Sequence, residues 1–415
     1  MKVKITPKLL YGKITAPPSK SFAHRYLIAS FLSGKRVEVL NAGSSKDVLA
    51  TLNALKALGA EISNDNNKIV IEKKAIIGDQ VRTVDCFESG STLRFLLPVA
   101  SALGIKSDFT GSERLLERPI KSLVDCLNQN GANVEGFSVR GKLKGGEYNI
   151  DASVSSQYIT GLLFALPLLD GDSKIILQNQ SVSVGYIDVT LEVLKQFGIE
   201  IEKTDYGFYV RGNQKYIPPK KIIVEGDYSG SAFYLCAGAI GDRITIKGLN
   251  PNSCQGDREI LKILKTFGAK VKTGKNKITV EKEKLRAIEY DCTDIPDLVQ
   301  IISVVCAFCS GTSVLKNVQR LKDKESDRIQ AILNMLKIAK IKAEYLNGDL
   351  KITGRIPIGG DFDGGNDHRT VMSSAILASH SIGTSTINGA QVTDKSYPEF
   401  FAHFTQLGGI IDVLN

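Results

Sequence analysis

The sequence predicts an α/β (α+β) protein of two similar domains, each built from three βαβαββ units. Three observations carry that expectation. First, six stretches resemble one another: "LNALKALGAEIS", "VDCLNQNGANVE", "LEVLKQFGIEIE", "LKILKTFGAKVK", "LNMLKIAKIKAE" and "FAHFTQLGGIID". Each is apolar with a helical period, stops, and continues as an alternating strand. The stops fall at Gly59, Gly131, Gly198, Gly268, Lys340 and Gly408, which are 67 to 72 residues apart. Glycine closes a helix cheaply because it enters the left-handed region without steric cost, so Lys340 is the weakest match. Second, a further strand follows four of the stops: "NKIVIEK", "GFYVRG", "NKITVEK" and "DLKITG". Two strands joined through a short Asn/Gly turn make a hairpin. Third, another apolar helical stretch precedes the repeated helix, as in "STLRFLLPVASALG" and "SQYITGLLFALPLL". Units of about 70 residues exceed the usual solenoid periods and suit two domains of three.

The bulk numbers agree with this organisation. A chain of 415 residues has the length of about two domains. Its 43% hydrophobic and 23% charged content is that of an ordinary globular protein. The net charge of +9 suits an anionic partner, but the basic residues are scattered and Trp is absent. Both features argue against a nucleic-acid groove with stacking platforms. Seven cysteines lie mostly inside apolar runs such as "ISVVCAFCSG", which suits a reducing compartment. Cys306 and Cys309 form a C-x-x-C with no second Cys or His pair nearby, so burial in a helix is expected rather than a metal or redox site. "MKVKITPKLL" lacks a secretory apolar region, and Pro98, Pro167 and Gln300 interrupt apolar runs before the ~18 residues of a membrane span. A cytoplasmic protein without a membrane partner follows.

Function must come from what is unequal among the repeats. In "APPSKSFAHRYLIAS", Lys20 and Arg25 crowd a helix start, where the dipole is already positive and favours anions. Ser19 or Ser21 can cap that helix. "ESGSTLRFLLP" has the small residues of an anion-binding backbone turn around Gly90, with Arg94 one turn in and Glu88 awkwardly adjacent. In "RLLERPIKSLVD", Arg118-Pro119 is expected to start a helix. In "SVSSQYITGLL", Ser155, Ser156 and Gln157 open an apolar helix, and capping explains only one of them. "TDIPDLVQ" offers Asp297 or Asp294 as the cap of a buried helix. In "LKDKESDRIQAI", Lys324 and Arg328 are expected to share a helix face at i,i+4, beside Lys322 and Glu325. His368-Arg369 open another helix, and Lys395 stands in "VTDKSYPEF".

Taken singly, each reads equally as a cap or a solvated end. Jointly, cations at helix starts in most units suggest a cleft between the two domains that takes a ligand with several negative charges. Carboxylates at metal spacing are absent and His numbers only four, so no metal is expected. The phosphate-loop and dinucleotide glycine patterns are absent as well.

"PPSKSFAHR", "SSQY", "YIDVTLEVLKQFGIEI", "VEGDYSGSAFYL", "IPDLVQ", "KDKESDR", "NDHR" and "DKSYPEFF" resemble, in order and spacing, the motifs of the enolpyruvyl transferase family. The resemblance runs from end to end and is greatest to the members acting on shikimate 3-phosphate. It implies an inside-out α/β barrel arrangement with one discontinuous domain, 1–18 with 226–415, and a second, 19–225. The implied reaction moves the enolpyruvyl group of phosphoenolpyruvate to the 5-hydroxyl of shikimate 3-phosphate and releases phosphate, as in aromatic amino acid biosynthesis. No cofactor is implied, and the protein is expected to act as a monomer.

By the same resemblance Asp297 is the base on the hydroxyl, and Glu325 with Lys20 handles the proton at C3, the division between these two being open. Lys20, Gly90, Arg118, Gln157, Arg328, Arg369 and Lys395 are expected around phosphoenolpyruvate. Lys20, Ser21, Arg25, Ser155, Ser156, Gln157, Ser183, Asp297, Arg320 and Lys324 are expected around shikimate 3-phosphate. The chain departs from the family at Glu88-Ser89-Gly90-Ser91, where Asn-Ala-Gly-Thr is usual, and at Phe95, Val184-Gly185 and Arg320. Glu88 is expected to weaken phosphoenolpyruvate binding and to alter glyphosate sensitivity. The sister activity on a UDP-amino sugar is disfavoured, because residues 110–118 hold no cysteine. A homologue that keeps the anion cleft without turnover is the remaining alternative.

Overall fold

The structure, a computed structural model, describes residues 1–65, 67–74, 79–179 and 183–414. The chain forms two units: a terminal unit of residues 1–19 and 225 onward, and a middle unit of residues 20–224. Among the described residues the α-helices of the middle unit are α1 (Lys20–Leu32), α2 (Lys46–Ala57), α3 (Gly90–Leu103), α4 (Glu113–Glu117), α5 (Lys121–Gln129), α6 (Ser156–Ala165) and α7 (Val184–Gln196). Those of the terminal unit are α8 (Tyr228–Ile240), α9 (Ile260–Phe267), α10 (Val299–Ala307), α11 (Arg328–Ile338), α12 (His368–Ser379) and α13 (Phe400–Gln406).

Among the described residues, each unit carries three four-stranded sheets of one pattern. Strands Arg82–Asp85 and Ser107–Thr110 pair in parallel across α3, and the hairpin Val134–Glu135/Ser138–Val139 then adds antiparallel to the second of them. A parallel pair needs such a crossover, whereas an antiparallel pair needs only a turn. The repeats at Gly146–Asp151 and at Glu289–Asp291 follow the same order. Three sheets borrow a strand from far away in sequence, one of them taking Gly12–Thr15 as the parallel edge beside Ile244–Lys247. Ile222–Ile223 supplies the parallel edge beside Val37–Leu40, and Lys2–Thr6 sits between Ser385–Asn388 and Ile410–Leu414.

All six repeat stops have positive φ: Gly59 at 101°, Gly131 at 91°, Gly198 at 73°, Gly268 at 102°, Gly408 at 88°, and Lys340 at 61°. The lysine therefore makes the same left-handed turn as the glycines, at a cost of about 1 kcal/mol. The helices preceding these stops bury one face. By contrast α1, α3, α6, α8, α10 and α12 are buried almost throughout, and a helix apolar all round belongs in a core. Cys306 lies inside α10 and Cys309 just beyond it, both buried, and all seven cysteines are free. Among the described residues no helix is long and apolar enough to cross a membrane.

With their sides buried, the core helices offer ligands only their ends. Their N-termini carry most of the residues singled out above.

Candidate active site

In the middle unit, α1 opens at Lys20, whose ammonium lies 2.6 Å from Asp47 Oδ2 on the first turn of α2. Ser21 is half-buried, and its carbonyl accepts from Arg25 Nη1 at 2.8 Å. Arg25 is buried; its Nε donates to Thr190 Oγ1 at 2.8 Å and its Nη2 to the Tyr186 carbonyl at 2.9 Å. Its guanidinium also lies over the Phe95 ring, 5.0 Å from the centroid.

Ser89 caps α3 by accepting from the Thr92 N–H, so the helix begins at Gly90. A Cβ on Gly90 would lie 2.7 Å from Arg118 Nη1 and 3.1 Å from Arg94 Nη1. Two guanidinium groups thus converge on a bare Cα, which only glycine permits without displacing them. Arg94 Nη1 donates to Gln157 Oε1 at 2.7 Å, and Gln157 Nε2 donates to Ser91 Oγ at 3.1 Å. Gly90, Arg118 and Gln157 are therefore assembled, with Arg94 and Ser91 as additional members. Ser155 caps α6, accepting from the Gln157 N–H at 3.2 Å, and Ser156 is buried behind it. Ser183 stands before α7 with φ of 57° and its side chain does not cap that helix.

A relay of buried hydroxyls ties these elements together. His24 Nδ1 lies 2.7 Å from Thr51 Oγ1, Thr51 lies 2.7 Å from Thr92 Oγ1, and Thr92 donates to Ser89 Oγ at 2.8 Å. Burial, with Lys20 and Arg25 nearby, lowers the His24 pKa to about 3 against the pull of Asp47, so the ring is neutral at physiological pH.

In the terminal unit, Arg328 is the first residue of α11 and only 1% exposed. Its Nη1 donates to Asp297 Oδ1, its Nη2 to Glu325 Oε2 and its Nε to Asp367 Oδ2, each at 2.8 Å. One guanidinium holds three carboxylates, including both candidate acid–base groups. Arg369 donates to the Asp297 carbonyl at 2.7 Å and to Ser229 Oγ at 2.6 Å, and lies 3.3 Å from Asp297 Oδ2. Burial opposes ionisation of Asp297, but Arg369, Lys324 and Arg328 outweigh it and hold the carboxyl well below the usual range. Burial lowers Lys324 to about 8 in spite of Asp297. Arg320, half-buried in the 3₁₀ turn Gln319–Asp323, is likewise lowered by burial, with Asp297 and Asp294 opposing. Lys395 closes the 3₁₀ turn Ala390–Lys395 and is buried.

Three local expectations are corrected. Arg118 does not start a helix: it ends the short α4 in an extended conformation, and α5 begins only at Lys121. Pro119 explains this, because the residue before proline is pushed out of the helical region. Neither Asp297 nor Asp294 caps α10, whose N-cap is Leu298 with no side-chain bond; Asp297 faces arginines instead. Lys324 and Arg328 share no helix face, because Lys324 is extended and Asp327 caps a new helix beginning at Arg328.

Sequence reasoning missed Asp47 and Asp367. Asp367 is fully buried, caps α12 by accepting from the Arg369 N–H at 2.9 Å, and also accepts from Ser326 Oγ at 3.0 Å. Its cap position in "NDHR" was an available signal. Nothing in "SSKDV" distinguishes Asp47 from an ordinary first-turn acid.

The EPSP synthase (3-phosphoshikimate 1-carboxyvinyltransferase) family model matches residues 5–404. The 3-phosphoshikimate 1-carboxyvinyltransferase of Clostridium kluyveri is 40% identical over 99% of this chain and 98% of its own length. That of Clostridium novyi is 38% identical over 99% and 98%. Among solved structures, EPSP synthase from Acinetobacter baumannii covers 100% of both chains with a TM-score of 0.84 at 24% identity. The enolpyruvyl transferase NikO from Streptomyces tendae covers 99% of this chain and 98% of its own, with a TM-score of 0.77 at 16% identity. At these identities the structures speak for the fold alone. The family model and the curated relatives go further: this chain belongs to the EPSP synthase (3-phosphoshikimate 1-carboxyvinyltransferase) family.

Proposed function

We propose that this chain transfers the enolpyruvyl group of phosphoenolpyruvate to the 5-hydroxyl of shikimate 3-phosphate, releasing phosphate in the shikimate pathway. The observation that carries the reading at the site is the seating of Asp297 and Glu325 on one arginine, in a chain matched to the family almost from end to end. The reaction needs a base and an acid close together. The hydroxyl oxygen bonds to C2 of phosphoenolpyruvate and loses its proton, while C3 gains one to become a methyl group. The C2–O bond to phosphate then breaks, and C3 returns a proton to give the enol ether.

Asp297 takes the hydroxyl proton, and Glu325 with Lys20 serves C3. The cations around Asp297 make it a weak base in the free enzyme. Anionic substrates offset those cations, raise the carboxylate's proton affinity and bring it toward its task. Arg118, Arg328, Arg369, Lys395 and Lys20, with the Gly90 backbone and Gln157, hold phosphoenolpyruvate and stabilise departing phosphate. Ser21, Arg25, Ser155, Ser156, Gln157, Ser183, Arg320 and Lys324 hold shikimate 3-phosphate. Transfer to a UDP-amino sugar is not favoured. The protein works on these small anions as a monomer in the cytoplasm, with no nucleic-acid or membrane partner.

Mixing the two substrates with the protein should release phosphate, and the Lys20→Met and Asp297→Ala variants should not. No release from the unmodified protein would leave an anion-binding homologue without turnover.

A further inference from the structure

The chain leaves the terminal unit after Ser19 and re-enters it at Glu225. Within that unit the two passages form one ribbon. The Ser19 N–H donates to the Glu225 carbonyl and the Asp227 N–H to the Pro17 carbonyl, both at 2.8 Å, and Pro18 bridges Gly226 in antiparallel fashion. Gly226 makes the close approach possible, since a Cβ there would lie 2.5 Å from the Gly248 carbonyl and 2.8 Å from Ala16 Cβ.

One buried side chain, Gln255, is fastened to both passages. Its Oε1 accepts from Ser19 Oγ at 3.2 Å and from the Tyr228 N–H at 3.0 Å. Its Nε2 donates to Glu225 Oε1 at 2.6 Å and to the Gly226 carbonyl at 2.8 Å. Both amide protons and both lone-pair directions are used, so the amide has a single satisfying orientation. The surroundings reinforce it. Ser253 Oγ accepts from the Gln255 N–H and donates to Glu225, which also accepts from Asn250 Nδ2 at 3.2 Å.

The two residues that Oε1 holds each sit one position before a member of the candidate site. Ser19 precedes Lys20 at the start of α1. Tyr228 precedes Ser229, the hydroxyl that accepts from Arg369 at 2.6 Å. We propose that Gln255 is a positioning residue for the transfer reaction. It fixes Ser19, the last residue of the terminal unit before the chain leaves it, and the start of α8, and with it the Ser229–Arg369 pair. This rests on the transferase reading above.

The test is steady-state phosphate release at a temperature well below each variant's Tm. Gln255→Glu keeps the size and both acceptor contacts but sets a carboxylate oxygen against Glu225 and the Gly226 carbonyl. Its kcat should fall about tenfold or more, since displacing reacting groups by ~1 Å costs on the order of 10²-fold. Adding Glu225→Gln returns a donor to the pair and should recover about threefold, a rescue that general destabilisation would not produce. Ser19→Ala removes one of the four contacts and decides the matter if Gln255→Glu does not fold; it should lose about threefold in kcat with Tm nearly unchanged. Unaltered kcat in the folded variants, whatever their Tm, would make Gln255 a structural clamp and overturn the proposal. No release from the unmodified protein would instead overturn the transferase reading on which it rests.

Discussion

The middle and terminal units share one repeat plan but equip their core-helix ends differently. In the middle unit Arg25 and Arg94 direct N–H groups at hydroxyls, main-chain carbonyls and the Gln157 amide. In the terminal unit Arg328 directs its N–H groups at three carboxylates. Hydrogen bonds to neutral groups fix a guanidinium's orientation without offsetting its charge. A guanidinium held by carboxylates instead fixes their spacing, and here it helps keep Asp297 and Asp367 ionised despite burial. The arginines at α1 and α3 are thus fixed by neutral polar groups, and the one that opens α11 by three carboxylates.

The comparison can be broken most sharply at Asp297. Asp297→Asn preserves size but removes the proposed base, and kcat for phosphate release should fall by about 10²–10⁴. A change confined to KM would show that Asp297 only binds. Next in size is Asp367→Asn, which takes a buried carboxylate from Arg328. Breaking a buried pair on one side costs about 3–5 kcal/mol, so thermal denaturation should show a markedly lower Tm, together with a reduced kcat. A wild-type Tm would mean that Asp297 and Glu325 suffice to hold Arg328.

Lys324 supplies a pH dependence. Burial lowers its pKa to about 8, so it is cationic below that pH and neutral above it. The KM for shikimate 3-phosphate should therefore rise as pH passes upward through about 8, and Lys324→Arg should move that limb to higher pH. A limb that persists in the arginine variant belongs to another group. In the middle unit, Glu88→Asn removes a negative charge beside the Ser89–Gly90 turn. It should lower the KM for phosphoenolpyruvate about two- to fivefold with kcat unchanged, as expected of a partly exposed charge at a binding site. The smallest effect lies away from both sets. Lys340→Gly relieves the left-handed backbone and should raise stability by about 0.5–1 kcal/mol in denaturant unfolding, leaving kinetics alone.

Much of the scaffold was legible in the sequence because its signals are local. The stops at Gly59, Gly131, Gly198, Gly268 and Gly408 report backbone geometry directly, and Lys340 shows that the position demands the turn even without glycine. The clusters at Lys20, Gly90 and Ser155–Gln157 could be placed at helix starts because a polar opening before an apolar run is a short-range pattern. Pro119 in the sequence suits a helix start equally well, but it stops the residue before it, so Arg118 ends α4 instead. The face shared by Lys324 and Arg328 failed because Asp327 restarts the helix between them.

The sequence by itself determined the repeat, the core helices and the residue types at their ends, since periodicity and capping act within a few residues. Only the tertiary structure decided which acid meets which base. Arg328 meets Asp297 from 31 residues away and Asp367 from 39, and Arg94 meets Gln157 from 63. The first pair joins two helix starts of one repeat and the other two join different repeats, so each contact exists only where packing brings the ends of different helices together. Gln255 reaches farther still: it accepts from Ser19 across 236 residues, by a hydrogen bond that no local pattern encodes.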